Sequence, residues 1–473
     1  MIMDRVDIDY ASHLEELDRR FVLHPFTVLA DHQQGSPGII VEGKGAVLRD
    51  SHGKEYIDAM AGLWCANVGY GRTELAECMK RQTEKLSYYH SFSGLGTDAP
   101  AVLSEKLIKM APGRMSKVFF GNSGSDANDT QVKLVWYYNN LRGLPHKKKI
   151  ISRRRGYHGV TVMSASLTGF DNLHKGFDLP LPMVRHVSPP YRLWEAETGM
   201  SDQDFVRKLA DELEQTILKE GPETVGAFIA EPVQGAGGVI VPPEGYFPAI
   251  QKILKHYDVL LIADEVISGF GRLGRNFGCE VFGIEPDLIT IAKGITSAYV
   301  PLSGCLVSEK IWTVLVEGSA QYGAFGHGFT YSSHPVAAAV ALENLALIER
   351  ERLIKRATEL GKYMRERLAE AFGEHPMLGE LRGMGLVAAI EFVAENTGKP
   401  RAFAPQLKVA ARIAKKAFAL GVIVRALPAA DTISFSPPFV TTTAQIGRCV
   451  EIVRKAADEV KDELTRERQW QAA

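Results

Sequence analysis

Apolar residues along this chain follow two different rhythms. Between about residue 100 and residue 310 they come in short runs: SKVFF at 116–120, KKIIS at 148–152, VGAFIAE at 225–231, VLLIADE at 259–265, LITIA at 288–292 and GCLVS at 304–308. Such runs, rich in branched residues and not alternating with polar ones, predict strands buried on both faces. The stretches between them have helical spacing, so this region predicts a largely parallel sheet with helices on both sides. Toward the ends the rhythm changes. Residues 9–22 read as a short helix stopping before His24-Pro25. Residues 38–58 hold two turn signals, Gly43-Lys44-Gly45 and Asp50-Ser51-His52-Gly53, between apolar runs, which predicts an antiparallel meander. Residues 335–372 read as one long helix. It is followed by the strand-like LVAAIEFV, a helix near 406–420, VIVRA, TISFSPP and a terminal amphipathic helix. The predicted fold is α/β: a mainly parallel central sheet plus a smaller α+β domain built from both chain ends. The corresponding division is 1–75, 76–334 and 335–473.

Two central runs end in a charged residue. DVLLIADEV (258–266) delivers Asp264 and DLITIAKG (287–294) delivers Lys293, each where the apolar run stops. Open α/β sheets bind ligands beyond the carboxyl ends of their strands, so the acid and the lysine are expected at one pocket. A lysine able to form a Schiff base, with an acid to pair a protonated pyridine nitrogen, is the minimum that pyridoxal phosphate chemistry needs. Val266, two residues on, is placed to present an aliphatic side chain to such a ring. Tyr157, in RGYHG, is the candidate for stacking on the other face, or else an ordinary turn aromatic. Upstream, FFGNSGSDAN (119–128) predicts a strand, a Gly/Ser turn and a helix opening near Ser125-Asp126. That reads either as a phosphate site at a helix N-terminus or as a capped helix with Ser123 or Ser125 at the cap. It is neither a Walker A loop nor a GxGxxG fingerprint, which disfavours a nicotinamide oxidoreductase.

Composition narrows the class. The chain has 473 residues, with 55 Lys+Arg against 56 Asp+Glu and a net charge of −1. No basic face for nucleic acid is implied, and Arg153-Arg154-Arg155 reads as a solvated turn. No run has membrane-spanning length. Five scattered cysteines suggest neither a disulfide framework nor a zinc site, and no metal site is expected. The acidic, amphipathic N-terminus lacks signal-peptide features, so a cytoplasmic location is expected.

Taken together, the motifs resemble the class III pyridoxal-phosphate aminotransferases of fold type I, most closely the ω-amine:pyruvate branch. The resemblance is carried by LWCANVGYG (63–71), FFGNSGSDAN, GYHG (156–159), AEPVQGAGG (230–238), IADEVISGFGR (262–272), IAKG (291–294), HGFTYSSHP (327–335) and VIVRALP (422–428). It implies that Lys293 is the Schiff-base lysine and proton shuttle, and that Asp264 is the pyridinium partner, followed by Glu265. Ser123, Gly124 and Ser125 would form the phosphate loop. Tyr157 would stack, with His158 and Gly159 completing its turn, and Val266 would line the ring. Glu231 and Gln234 would stand near Asp264. Thr330 would reach the cofactor phosphate of a neighbouring subunit, which implies a homodimer with composite sites; whether dimers pair into tetramers stays open. Phe26, Trp64, Val160 and the partner-facing Phe92 resemble the apolar substrate wall, beside Tyr157. Arg425 resembles a mobile arginine for a substrate carboxylate, and outside that context would read as a surface ion pair. Leu273, Ala298 and Ser333 depart from the commonest form of these motifs; at the last two, glycine is often found.

The implied activity is ping-pong transfer of an amino group from an ω-amino acid or primary amine to pyruvate. The alternative within the fold is a 2-oxoglutarate-dependent enzyme of the γ-aminobutyrate or ornithine type. No second arginine for a dicarboxylate stands out near Trp64. An aminomutase and a non-catalytic protein of the same fold are more distant rivals; Lys293 retained together with Asp264 argues against the latter.

Overall fold

The computed structural model describes residues 8–35, 38–428 and 430–471. At its centre is a seven-stranded sheet, in the order Met115–Gly121, Ser303–Ser308, Leu288–Ile291, Leu260–Asp264, Val225–Ala230, Lys149–Arg153, Val184–Val187. Ser303–Ser308 runs antiparallel to both neighbours, and the other adjacent pairs are parallel. Side chains alternate between two apolar layers. Phe228, Leu261, Ala263, Ile289 and Ile291 point into one core, and Ala227, Ile229, Leu260, Ile262 and Leu288 into the other. Both faces are covered, which is why these strands read as unbroken apolar runs.

The chain ends share a third core. Ala59, Val68 and Leu75 pack with Leu347, Leu360, Ile413, Ile433, Val453 and Leu464. The meander strand Glu55–Asp58 takes Val422–Ile423 as a parallel neighbour, so the end of the chain completes a sheet begun near its start. A second small sheet joins Leu378–Met384, Val387–Phe392, Thr432–Phe435 and Arg425–Ala426. Among the described residues no helix is long and apolar enough to cross a membrane.

Two expectations are corrected, and two strands are added. The long helix is two, Pro335–Arg350 and Leu353–Phe372, broken at Arg352 (φ +52°). Residues of the first helix serve both the sheet core (Ala337, Ala341, Leu345) and the third core (Val340, Leu347). The second serves only the third core, and a straight helix could not aim both segments correctly. Of the run at 153–155, Arg154 is exposed on a turn as expected, but Arg153 is buried under Tyr246 and Phe247 and donates to the Glu231 carbonyl, and Arg155 stacks on Tyr191. Val184–Val187 and Leu378–Met384, with too few consecutive apolar residues to stand out, are strands as well.

Candidate active site

Asp264 and Lys293 stand at the carboxyl edge of adjacent parallel strands. Asp264 is registered with Thr290, three residues before Lys293. The buried Asp264 carboxylate has three hydrogen-bond partners. Asn128 Nδ2 (2.9 Å) and His158 Nδ1 (2.8 Å) reach Oδ2, and the Val266 amide (3.1 Å) reaches Oδ1. Thr290 donates to Asn128 Oδ1 (2.7 Å), which fixes the amide so that its NH2 faces the acid and the His158 carbonyl. Because an ionised carboxylate only accepts, this cage is built for Asp264 as an anion.

Lys293 has a left-handed backbone (φ +49°). Burial pushes its amine below the ordinary lysine range; Cys65 and Asp264 pull upward, and the Arg425 charge adds to the depression. A lowered pKa favours the free amine that Schiff-base chemistry needs. Glu231, also buried, has its pKa raised by desolvation and accepts the amides of Tyr157 (3.0 Å) and Gly235 (2.9 Å), which fixes the Tyr157 turn. Burial likewise raises the Tyr157 phenol, against the nearby Arg425 charge. Glu265 faces away and ties down the following loop through Ser268 and the amides of Gly278 and Cys279. Gln234 donates to the Arg154 carbonyl.

The third wall is the N-terminus of helix Gly124–Leu141. Ser123 is its cap, in a reciprocal capping box with Asp126. Gly124 and Ser125 line the cavity. A Cβ at Gly124 would stand 3.2 Å from a Val266 methyl, and one at Gly159 (φ +132°) would stand 2.5 Å from both Ser125 Oγ and Ser164 Oγ. These glycines let the helix start and the Tyr157–Gly159 turn pack closely against neighbouring side chains at the cavity wall.

Gly124, Ser125, Asn128, Tyr157, His158, Glu231, Asp264, Val266 and Lys293 thus line one cavity of about 150 Å³. A larger hollow, about 490 Å³ between Phe119, Tyr137, Trp312 and Phe325, gathers no such set of titratable groups, so chemistry rather than volume selects the site. The remaining candidates lie outside this lining. Trp64 (φ +65°) is 2% exposed, packed with Val233, Val239, Leu273 and Leu427. Phe26, Phe92, Val160 and Thr330 are exposed. The Tyr88 hydroxyl donates to the Thr330 carbonyl, and the Phe92 ring abuts Gly328, so the 88–92 and 328–330 segments lie together on the surface. Arg425 is half-buried, and among the described residues no carboxylate lies within ion-pair distance of it. Sequence reasoning missed Asn128 as a site residue. It closes the FFGNSGSDAN motif four positions after Gly124, hence on the same helix face, and that spacing was the available signal.

The donors fit pyridoxal phosphate: an anionic acid for a protonated pyridine nitrogen, a lysine with a lowered pKa, and a helix N-terminus cleared of side chains for a phosphate. Residues 29–457 match the family described as aminotransferase class-III. The chain is 49% identical to the diaminobutyrate–2-oxoglutarate transaminase of Halomonas elongata, covering 97% of this chain and 99% of that protein. It is 45% identical to gamma aminobutyrate transaminase 1 of Solanum lycopersicum, covering 93% and 85% respectively. The crystal structure of an omega transaminase from Pseudomonas jessenii in complex with PMP superposes with a TM-score of 0.93 at 47% identity, covering 96% of this chain and 99% of that one.

Proposed function

The chain belongs to the class III aminotransferases, pyridoxal-phosphate enzymes of fold type I, and we propose that it transfers the amino group of an ω-amino acid or primary amine to pyruvate by a ping-pong route. The observation that carries this reading is Arg425: a half-buried guanidinium without an acid partner among the described residues, close enough to Lys293 and Tyr157 to act on both electrostatically. It is suited to one substrate carboxylate.

Bound pyridoxal phosphate supplies an aldehyde that condenses with amines and a ring that takes up electron density from the substrate carbon. Around it, Asp264, held in place by Asn128, His158 and the Val266 amide, would pair with the pyridine nitrogen. Gly124 and Ser125 offer helix N–H groups to the phosphate. Tyr157 and Val266, both lining the cavity, would confine the ring. Lys293 holds the cofactor between turnovers, then carries the proton at the substrate carbon, for which its lowered pKa suits it. Arg425 binds the keto acid and withdraws for an apolar amine, which Trp64, Phe26 and Val160 accommodate. Thr330 and Phe92, exposed in the single chain, serve the site of a second copy, so the active form is a homodimer. A cytoplasmic location belongs to the same reading.

Among the described residues the cavity lining holds no arginine, and Arg425 is the one guanidinium whose charge bears on both Lys293 and Tyr157, which supports a monocarboxylate acceptor. A 2-oxoglutarate-dependent enzyme is the second reading, favoured by the Halomonas relative. The test is the visible spectrum of the holoenzyme under anaerobic conditions. Single amines should bleach the cofactor band, and pyruvate, added next, should restore it. Restoration by 2-oxoglutarate as well or better supports the second reading; no bleaching by any amine overturns both.

A further inference from the structure

The N-terminal hairpin holds a cluster that the transaminase reading does not use. Helix Ile8–Phe21 contributes Asp18, the turn after it His24, and the short helix Leu29–Gln34 contributes His32. His24 Nε2 lies 2.7 Å from Asp18 Oδ1, and His32 Nε2 lies 3.7 Å from the same oxygen. The imidazole centroids are 4.5 Å apart. All three donor atoms lie within 4.8 Å of one another, and this is the group of its kind among the described residues.

A hydrogen bond from His24 to Asp18 explains two members of the cluster and leaves the third unexplained. The His32 side chain is only 8% exposed, and its Nε2 is buried with no hydrogen-bond partner. An unsatisfied buried polar atom costs about 1–3 kcal/mol. Asp18 Oδ1 already serves His24 and is too far from His32 to satisfy it. We propose that Asp18, His24 and His32 bind a divalent transition-metal ion of the zinc type, which pins the two helices of the hairpin together.

Tetrahedral donors about 2.0–2.1 Å from zinc stand about 3.3 Å apart. The distances of 2.7 and 3.7 Å bracket that value. Bringing the two imidazole nitrogens to it asks for a shift of about 1.5 Å at most, within reach of side-chain rotation. Two imidazoles and one carboxylate select zinc or a neighbouring first-row ion over calcium or magnesium, which prefer all-oxygen shells. His24 is a third exposed, leaving an entry path and room for water as the fourth ligand. The nearby acid Glu15 is already engaged by His52 at 2.6 Å and does not compete. The hairpin also carries Phe26, so the ion would steady a residue that the proposed substrate wall uses, a consequence that rests on the transaminase reading; metal binding itself does not.

The test uses tag-free, chelator-stripped holoenzyme titrated with Zn2+ against a chromophoric zinc indicator. One ion per chain is expected, with affinity weakened at least about tenfold in His32→Ala and in Asp18→Asn, while the cofactor's visible band shows each variant folded. In the unmutated protein, Zn2+ should slow tryptic cleavage after Arg19 and Arg20, and Mg2+ should not. Absence of stoichiometric uptake, uptake undiminished in both variants, or cleavage indifferent to Zn2+ overturns the proposal. No amine or keto acid enters these measurements, so their failure leaves the transaminase reading standing, and the reverse.

Discussion

Replacing Arg425 with alanine should separate the two halves of the proposed reaction. The guanidinium is half-buried, and burial lowers its pKa from the usual arginine value; arginine nonetheless stays charged in proteins. It therefore keeps its charge in a partly desolvated place beside Tyr157 and Lys293. Two unit charges about 4 Å apart at an effective dielectric near 20 attract by about 4 kcal/mol, and removing one member of such a pair typically costs about 2–5 kcal/mol. Allowing for residual solvent, about 2–4 kcal/mol of keto-acid binding rests on Arg425. At about 1.4 kcal/mol per tenfold, that is a fall of about 30- to 1,000-fold in kcat/KM for pyruvate. An uncharged arylalkylamine makes no such contact, and its half-reaction should change less than about threefold. Single-turnover absorbance of the cofactor measures each half-reaction separately. Arg425→Lys should recover only part of the loss, because an ammonium cannot match the planar fork. Equal losses in both half-reactions, or none in either, would mean that Arg425 supports the fold and does not read the carboxylate.

Gly159→Ala should weaken cofactor binding at least about tenfold: its Cβ would meet Ser125 Oγ and Ser164 Oγ at 2.5 Å, on a backbone with φ +132° that alanine resists. Fluorescence titration of the apoenzyme with pyridoxal phosphate measures this, and an unchanged Kd refutes it. The half-buried ring of His186 is pushed down to about 4, chiefly by desolvation. Between pH 4 and 6.5 the unfolded chain then binds more protons than the folded one. The contribution is fully present above about pH 6.5 and is lost as pH falls toward 4, by up to about 3 kcal/mol. His186→Gln should flatten the pH dependence of the urea midpoint across that window, and a parallel curve would count against it. Ala298 and Ser333 have φ of +64° and +59°. Ala298→Gly should relieve about 1–2 kcal/mol of strain against about 0.4–1 kcal/mol of added chain entropy, leaving the melting temperature unchanged or slightly raised; a clear drop refutes the strain.

Much of the site was legible because its chemistry sits where a regular pattern stops. Asp264 and Lys293 end strands whose two covered faces force continuous apolar runs, so each charge marks a carboxyl edge. Gly124 and the Ser123 cap announce a helix start through turn chemistry alone. Asn128 was harder. Its role depends on Thr290 from another strand orienting its amide, a contact made only by the fold. The same limit applies to Trp64, whose left-handed backbone and burial come from packing against Val233, Leu273 and Leu427. Ala298 and Ser333 show the reverse. They stand where glycine is often found in this family, and the positive φ at both gives the physical reason for that preference.

Strand direction is the most instructive gap. The runs that become Leu288–Ile291 and Ser303–Ser308 look alike in sequence, yet they pair antiparallel. A parallel return needs a crossover of a dozen or more residues, usually through a helix. Residues 292–302 are too few and contain only the short turn Lys293–Ile295, so the chain can only reverse. The absence of a helix there carried that information, and it matters for function. The reversal leaves Lys293 at the strand's carboxyl edge, on a backbone of φ +49°, with no crossover helix springing from that point to cover it. The two neighbouring connections behave differently. The segment after Asp264 folds back through Glu265 and its loop ligands, and the one after Gly121 opens the helix that begins at Gly124. One strand end therefore gives the amine, one the acid and one a helix N-terminus, and the sheet's register brings all three into a single cavity.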